Sequence, residues 1–265
     1  MSKLPLSVHI LTFNSAATLP KALGSVHEAT EILVIDGGSA DRTVSIAEAA
    51  GARVLPQRPP EEQGTPLKDF SCARNEGLKH ATQEWVLALD SDEYASRELL
   101  DEIRRVIAAG TPCACLVPRR YVLSDGSQVT HATTYPNERL YFFHRDVAKQ
   151  WIKPVHERIE LRRGTPIRRF KGTSLAPLGS LEDYRTKNLR YLAIEVERWK
   201  TRSLGHWLRH CLLRTLRSRL IALARLLWIW LLPHKGKRLP LRHELIRFWY
   251  AGKMLVATFP KKKAA

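Results

Sequence analysis

The sequence has little of what small secreted or metal-stapled proteins depend on. Its four cysteines, Cys72, Cys113, Cys115 and Cys211, are scattered through 265 residues, with one C-x-C pair, no CxxC pair and no regular histidine spacing. That set supplies neither a zinc site nor a disulfide framework, and reads as the reduced core thiols of a cytoplasmic protein. Long apolar runs are missing too. The opening MSKLPLSVHILTFN has one lysine, a short apolar run and no A-x-A site, so no signal peptide is expected. The most leucine-rich segment, 204–232, has LLWIWLL as its longest uncharged stretch, far short of the ~20 residues a spanning helix needs. No internal repeat is present. Acids are scarce in the second half: residues 135–265 hold 30 Lys/Arg against 9 Asp/Glu, whereas residues 1–134 hold 13 against 17. A near-neutral front half joined to a strongly basic back half implies that the second part alone meets an anionic surface or substrate. Nucleic acid, anionic lipid and phosphorylated glycan all fit that charge.

What is present in the front half is alternation of strand and helix. SVHILTF (7–13), EILVID (31–36), ARVLPQ (52–57) and EWVLALD (84–90) read as apolar strands. Between them lie helical stretches at 16–26, 43–50 and about 68–81, with a Pro/Glu/Gly-rich loop at 58–66. Such an order predicts an α/β fold with a mostly parallel sheet, because parallel strands need crossover connections. After a helix at 96–109 come strands without long helices, PCACLVPRRYVLS, ERLYFFHR and ERIELRR, an antiparallel or mixed extension of the sheet with Gly126 in a hairpin turn. From 181 the chain reads helical, to a last helix at 241–257.

Ligands of open α/β sheets bind outside the carboxyl ends of the strands. Asn14, Asp36 and Asp90 each stand just past an apolar strand and line one expected crevice. In LALDSDE, Asp90 and Asp92 aim oxygens at one hard divalent cation, which takes carboxylates and phosphates together. A loop acid, or Ser91 or Asp92 capping the next helix, is the plainer alternative. In VIDGGSADRT the glycines allow close backbone approach, Ser39 can hydrogen-bond, and Asp41 caps the following helix.

With these motifs in place, the chain resembles the family 2 glycosyltransferases of the GT-A fold. LSVHILTFNSAATLPKALGSV, ILVIDGGSADRT and DFSCARNEGLKHATQEWVLALDSDE carry the likeness. The DSDE motif with NERLYFFHR and PVHERIEL is most similar to the subgroup that includes lipopolysaccharide core β-1,4-glucosyltransferases. By its composition 201–265 reads as a basic, Leu/Trp-rich helical, membrane-associating extension, and the resemblance implies a GT-A domain over 1–200. It implies nucleotide-sugar contacts by Thr12, Asn14, Asp36, Ser39, Arg74, Asn75 and Asp90, a Mg²⁺ or Mn²⁺ ion held by Asp90 and Asp92, and Glu157 of PVHE as general base. The implied reaction is inverting transfer from a UDP-glucose-like donor to a lipopolysaccharide-core or other lipid-linked glycan. Members of this type often carry a histidine ahead of a segment like SLEDYRTKNLRY; here TSLAPLG precedes it, which leaves water or His156 to substitute at the metal, although His156 reads first as structural.

A nucleotidyltransferase of similar fold is disfavoured because the first strand runs into TFNSAATL rather than a glycine-rich loop bearing Arg or Lys. Among the aromatics, Tyr141, Phe142 and Phe143 read as core strand, while Trp151 reads equally as core or as a sugar-stacking platform. Over 204–232, Arg209, His210, Arg214, Arg217 and Arg225 share one helical side, with Arg219 the exception. A basic side opposite Leu and Trp is the pattern of a helix lying on anionic lipid, at the inner face of the cytoplasmic membrane; a helix packed on the domain is the alternative. That interleaving, and the lack of a nucleic-acid-binding motif, disfavours a nucleic-acid-binding protein.

Overall fold

The computed structural model describes residues 3–57, 69–154, 156–199 and 202–260. The expected loop at 58–66, Val155 of the PVHE motif and the PKKKAA tail beyond Pro260 lie outside them. The elements run β1 (Leu4–Thr12), α1 (Leu19–Ser25), β2 (Ala29–Asp36), α2 (Thr43–Ala49), β3 (Arg53–Pro56), α3 (Phe70–His80), β4 (Trp85–Asp90), β5 (Tyr94–Ala95) and α4 (Arg97–Ala109). Then come β6 (Ala114–Val122), β7 (Val129–His131), β8 (Glu138–His144), β9 (Ala148–Ile152), β10 (Arg158–Leu161), β11 (Ile167–Arg169) and β12 (Ser174–Pro177). The chain closes with α5 (Leu181–Trp199), α6 (Leu204–Trp207), α7 (Leu213–Leu231), β13 (Lys237–Arg238) and α8 (Leu241–Thr258).

Two compact units emerge, the first comprising Met1–Arg120 and Pro136–Pro177. Its sheet runs β3-β2-β1-β4-β8-β6-β12-β5, with β11 beside β6. The β3-β2-β1-β4 half is parallel, and β8 enters antiparallel to both β4 and β6. The mixed sheet flanked by helices is the architecture expected from the alternation. ERIELRR departs from expectation: its strand β10 pairs β9 in a separate two-stranded sheet. Continuous apolar runs make β1 and β4 central strands buried on both faces, and Trp85 of β4 stacks on Phe142 of β8 at 5.0 Å. Ser96 caps α4, its Oγ accepting from Leu99 N at 3.2 Å, so neither Ser91 nor Asp92 is needed as a cap. Gly172 packs on the first turn of that helix, where a Cβ would come within 2.2 Å of Leu99 N.

The second unit comprises Tyr121–Tyr135 and Leu178–Ala265. The division thus differs from the expected break at 200, because the hairpin around Val129 and helix α5 belong with the C-terminal helices. The reason is packing: β7 pairs with β13, Val129, Ala132 and Leu239 form a small core of their own, and α5 packs on α8. Ser180 and Asp183 start α5 as a reciprocal cap, the Ser180 hydroxyl donating to Asp183 at 2.6 Å and accepting from its amide at 3.1 Å. The expected continuous helix over 204–232 is interrupted by a π-turn at Leu208–Leu212. On α7 only Leu226 and Ile229 are buried, whereas Leu213, Leu220, Trp228 and Leu231 are exposed. Among the described residues, no helix is long and apolar enough to cross a membrane.

Candidate active site

Parallel register brings the strand-end acids together: Thr12 stands opposite Asp36, and Leu11 opposite Asp90. The expected crevice residues therefore share one end of three adjacent strands. There the chain turns sharply, with Asn14 at φ 50° and Gly38 at φ 85°. The Asn14 amide donates to Ser39 Oγ at 2.8 Å and its Oδ1 accepts from Ala40 N at 2.9 Å. Asp36, buried, accepts from Thr12 Oγ1 (2.8 Å), Gly38 N (2.9 Å), Ser39 N (2.8 Å) and Ser39 Oγ (2.6 Å). A carboxylate offers about four acceptor positions, so Asp36 is committed to shaping this turn. Thr12 and Ser39 serve the same end. Asp41 extends the scaffold, accepting from Thr43 N at 2.9 Å and Ala16 N at 3.0 Å. Ser15 and Ser91 share a hydrogen bond at 2.9 Å that ties this turn to the DSD loop.

Asp90, Asp92 and Glu93 present carboxylate oxygens within 4.8 Å of one another. Like charges at that separation require compensation, and arginines supply it. Asp90 Oδ1 accepts from Arg74 Nη2 at 2.5 Å and Oδ2 from Arg139 Nη1 at 2.9 Å. Burial would raise the Asp90 pKa, but the Arg139 and Arg74 guanidiniums hold it well below the usual carboxylate range. Glu93 is buried and differently placed: Arg139 Nη2 bonds both its oxygens (2.6 and 2.7 Å), and Arg119 Nε and the Ser174 hydroxyl also donate to it. Four hydrogen bonds from three donors fill its acceptor positions, so Glu93 is an internal anchor. Asp90 keeps one lone pair on each oxygen. The donor set that fits a hard cation is therefore Asp90 with Asp92, and His156, exposed at φ 56°, is not among the clustered groups.

Arg74 is 0 % exposed and corrects the expectation of a diphosphate contact. It lies beneath the site, with Nη1 on the carbonyls of His9 (3.3 Å) and Leu89 (3.2 Å), Nη2 on Asp90 and Nε on Glu157 (3.4 Å). It thus positions the cluster acid and the candidate base through one rigid fork. Asn75 is likewise a clamp, its amide donating to Trp151 O (2.9 Å) and accepting from Trp151 N (2.7 Å), which fastens α3 to β9. Trp151 itself is 2 % exposed, edge-on to Tyr141 and Phe143, and so belongs to the core, with no face for a sugar. Glu157 Oε1 accepts from the Tyr141 hydroxyl at 3.2 Å, and both its partners sit on that one oxygen. Burial and then Asp90 push the Tyr141 pKa up, so the phenol keeps its proton and donates.

Arg139, Arg119 and Tyr141 were not singled out as site residues by their sequence. A signal for two of them exists in NERLYFF: Arg139 and Tyr141 are two apart on β8 and so share a face, where an arginine amid buried aromatics demands a carboxylate.

The chain is similar to known proteins over part of its length. Residues 7–158 match the family model described as "Glycosyl transferase family 2". A TPR repeat-containing protein of Synechococcus elongatus is 33 % identical over 155 residues, 58 % of this chain and 35 % of that protein. The lipopolysaccharide core biosynthesis glycosyltransferase LpsC of Rhizobium meliloti is 33 % identical over 104 residues, covering 38 % of this chain and 37 % of that one. The chain thus spans about a third of the length of the curated relatives it matches. Among solved structures, S. aureus TarS 1-349 in complex with UDP-GlcNAc aligns with a TM-score of 0.49 at 19 % identity, covering 75 % of this chain and 66 % of that one.

Proposed function

The chain belongs to glycosyl transferase family 2, and from that premise we propose that it transfers a sugar, with inversion, from a nucleoside-diphosphate donor to a lipopolysaccharide-core or other lipid-linked glycan at the inner face of the cytoplasmic membrane. The observation that carries the reading is the convergence of the Asp36 turn, the Asp90–Asp92 pair and Glu157 on one end of the first unit's sheet, with Arg74 holding two of them. The Asn14–Ser39 turn shapes the nucleotide's seat. Asp90 and Asp92 would hold Mg²⁺ or Mn²⁺, which as a Lewis acid supplies charge stabilisation for the departing diphosphate. Glu157, steered by Tyr141 and Arg74 on Oε1, would take the acceptor hydroxyl's proton on its other oxygen as that hydroxyl attacks from the face opposite the leaving group.

The membrane part of the reading rests on the second unit. Its charge is strongly positive, and the exposed leucines and tryptophans of α7 are of the kind that enter a headgroup layer. A lipid-linked acceptor and an anionic leaflet both meet such a surface, and LpsC is named for core lipopolysaccharide synthesis.

The test is a panel of nucleotide sugars incubated with the purified protein and Mn²⁺ or Mg²⁺, scored for metal-dependent binding and release of nucleoside diphosphate. One or more donors should turn over, EDTA should stop it, and Asp92→Ala should abolish it. Full activity in chelator removes the metal role; no binding of any donor removes the reading as a whole.

A further inference from the structure

The second unit has an open cavity of about 510 Å³ between the 133–134 segment, α7 and α8, and its wall is rich in arginine. Arg214, Arg217, Arg219 and Arg225 come from α7 and Arg247 from α8. Among the described residues none of the five pairs with a carboxylate. Arg225 is held on the carbonyls of Thr133 and Tyr135, both at 3.2 Å, and Arg219 on the Arg247 carbonyl at 3.4 Å. Glu244, a buried acid against the same wall, accepts from Thr133 N at 2.8 Å and from the Thr133 hydroxyl.

Two further observations concern the residues of its wall. Arg247 is buried, with Nη2 on the Tyr121 hydroxyl at 3.2 Å, but its Nε and Nη1 have no hydrogen-bond partner. Thr134 Oγ1, also in the wall, is enclosed and unpartnered. A buried guanidinium with two nitrogens lacking an acceptor, in the same wall as an unused hydroxyl, leaves donors that an oxyanion would satisfy. Burial and then the like charge of Arg247 lower the Arg219 pKa, the mark of cations assembled without their counter-charge.

We propose that this cavity binds a phosphate group, a phosphomonoester or diphosphate, with Arg247 and Arg219 at its floor and Arg214, Arg217 and Arg225 around it. Five guanidiniums exceed what a carboxylate or a phosphodiester satisfies, whereas a dianion with three free oxygens matches bidentate contact from more than one of them. All the lining residues belong to the second unit, so the site is independent of the donor assignment in the first.

The test uses the full chain with EDTA present, keeping divalent-cation chemistry out of it. Calorimetric titration with inorganic pyrophosphate should show saturable binding, unchanged by Asp92→Asn. The double variant Arg219→Met/Arg247→Met should weaken it at least tenfold while keeping its circular dichroism spectrum. Should that variant not fold, Arg214→Gln/Arg217→Gln, which removes exposed side chains, should give the same loss. A second arm measures co-sedimentation with phosphatidylcholine vesicles carrying phosphatidic acid or, at equal content, phosphatidylglycerol. Arginine-dependent preference for phosphatidic acid assigns the phosphate to a lipid headgroup, and pyrophosphate binding alone assigns it to a soluble or glycan-borne phosphate; either supports the site. Equal affinity of wild type and folded variants for pyrophosphate and for both vesicles overturns it.

Discussion

His9 lies in the middle of β1 with no accessible surface, and neither ring nitrogen has a hydrogen-bond partner. Gly77 of α3 closes over it: a Cβ there would approach Nδ1 to 3.0 Å. Burial first, then the charges of Arg74 and Arg145, lower its pKa from 6.5 to about 3. The unfolded chain therefore takes up a proton near pH 6.5 that the folded chain refuses until about pH 3. Because the unfolded state binds more protons inside that window, stability falls as pH drops through it and is fully present above it. At about 1.4 kcal/mol per pH unit, the whole window is worth about 5 kcal/mol. The portion between pH 7 and pH 5, clear of most carboxylate titration, is about 2 kcal/mol. His9→Leu keeps a similar volume and removes the titrating group. In urea unfolding followed by circular dichroism, the variant should lose about 2 kcal/mol less than wild type between pH 7 and pH 5. It should also be no less stable at pH 7, since it rids the core of unpartnered nitrogens that cost about 1–3 kcal/mol. Parallel pH curves for the two proteins would refute the reasoning, for they would mean that His9 titrates alike in folded and unfolded chains.

Glu157→Gln should lower turnover by about 10²–10⁴ with donor affinity little changed, read as kcat in steady-state transfer against donor Kd from calorimetry. An equal loss in both would make Glu157 a donor-binding residue. Glu93→Ala removes the buried carboxylate that the half-buried Arg119 and Arg139 share, and should cost about 3–5 kcal/mol in urea unfolding; a change under about 1 kcal/mol contradicts the anchor role. Gly172→Ala should destabilise by at least about 1–3 kcal/mol, because its Cβ would meet the α4 backbone at Leu99 rather than a side chain that can move. Replacing Leu220, Trp228 and Leu231 of α7 by serine should reduce binding to anionic vesicles several-fold without lowering the melting temperature, and unchanged binding would free α7 of that part.

Much of the fold was legible because its signals are local. The strand ends at Thr12, Asp36 and Asp90 follow from apolar runs cut off by polar residues, and parallel register then places them side by side. What was not legible depends on long-range pairing. The hairpin at Val129 joins the C-terminal unit through β13, over 100 residues away, and no periodicity near either strand announces that. In the site, the acids were visible by their clustering, while their partners were not. Arg74 and Asn75 were expected to face the ligand because the family resemblance implies donor contacts there. An arginine is equally suited to a buried fork when two acids converge on it, and only the fold shows that Asp90 and Glu157 do.

This arrangement explains how the acids can crowd without expelling one another. Asp90, Asp92, Glu93 and Glu157 carry four formal negative charges, and Arg74, Arg119 and Arg139 carry three positive ones, which leaves the group at −1. The compensation is uneven. Glu93, enclosed, receives four hydrogen bonds from Arg119, Arg139 and Ser174. Asp90 receives two, one on each oxygen, from side chains behind it and beside it. A cation approaching Asp90 and Asp92 would meet an Asp90 carboxylate already oriented by Arg74 and Arg139, so it need not order that side chain itself. Arg74 joins Asp90 to Glu157, so a substitution at Arg74 should disturb both carboxylates, whereas one at Arg119 should reach Asp90 through Glu93 and through the loss of its charge.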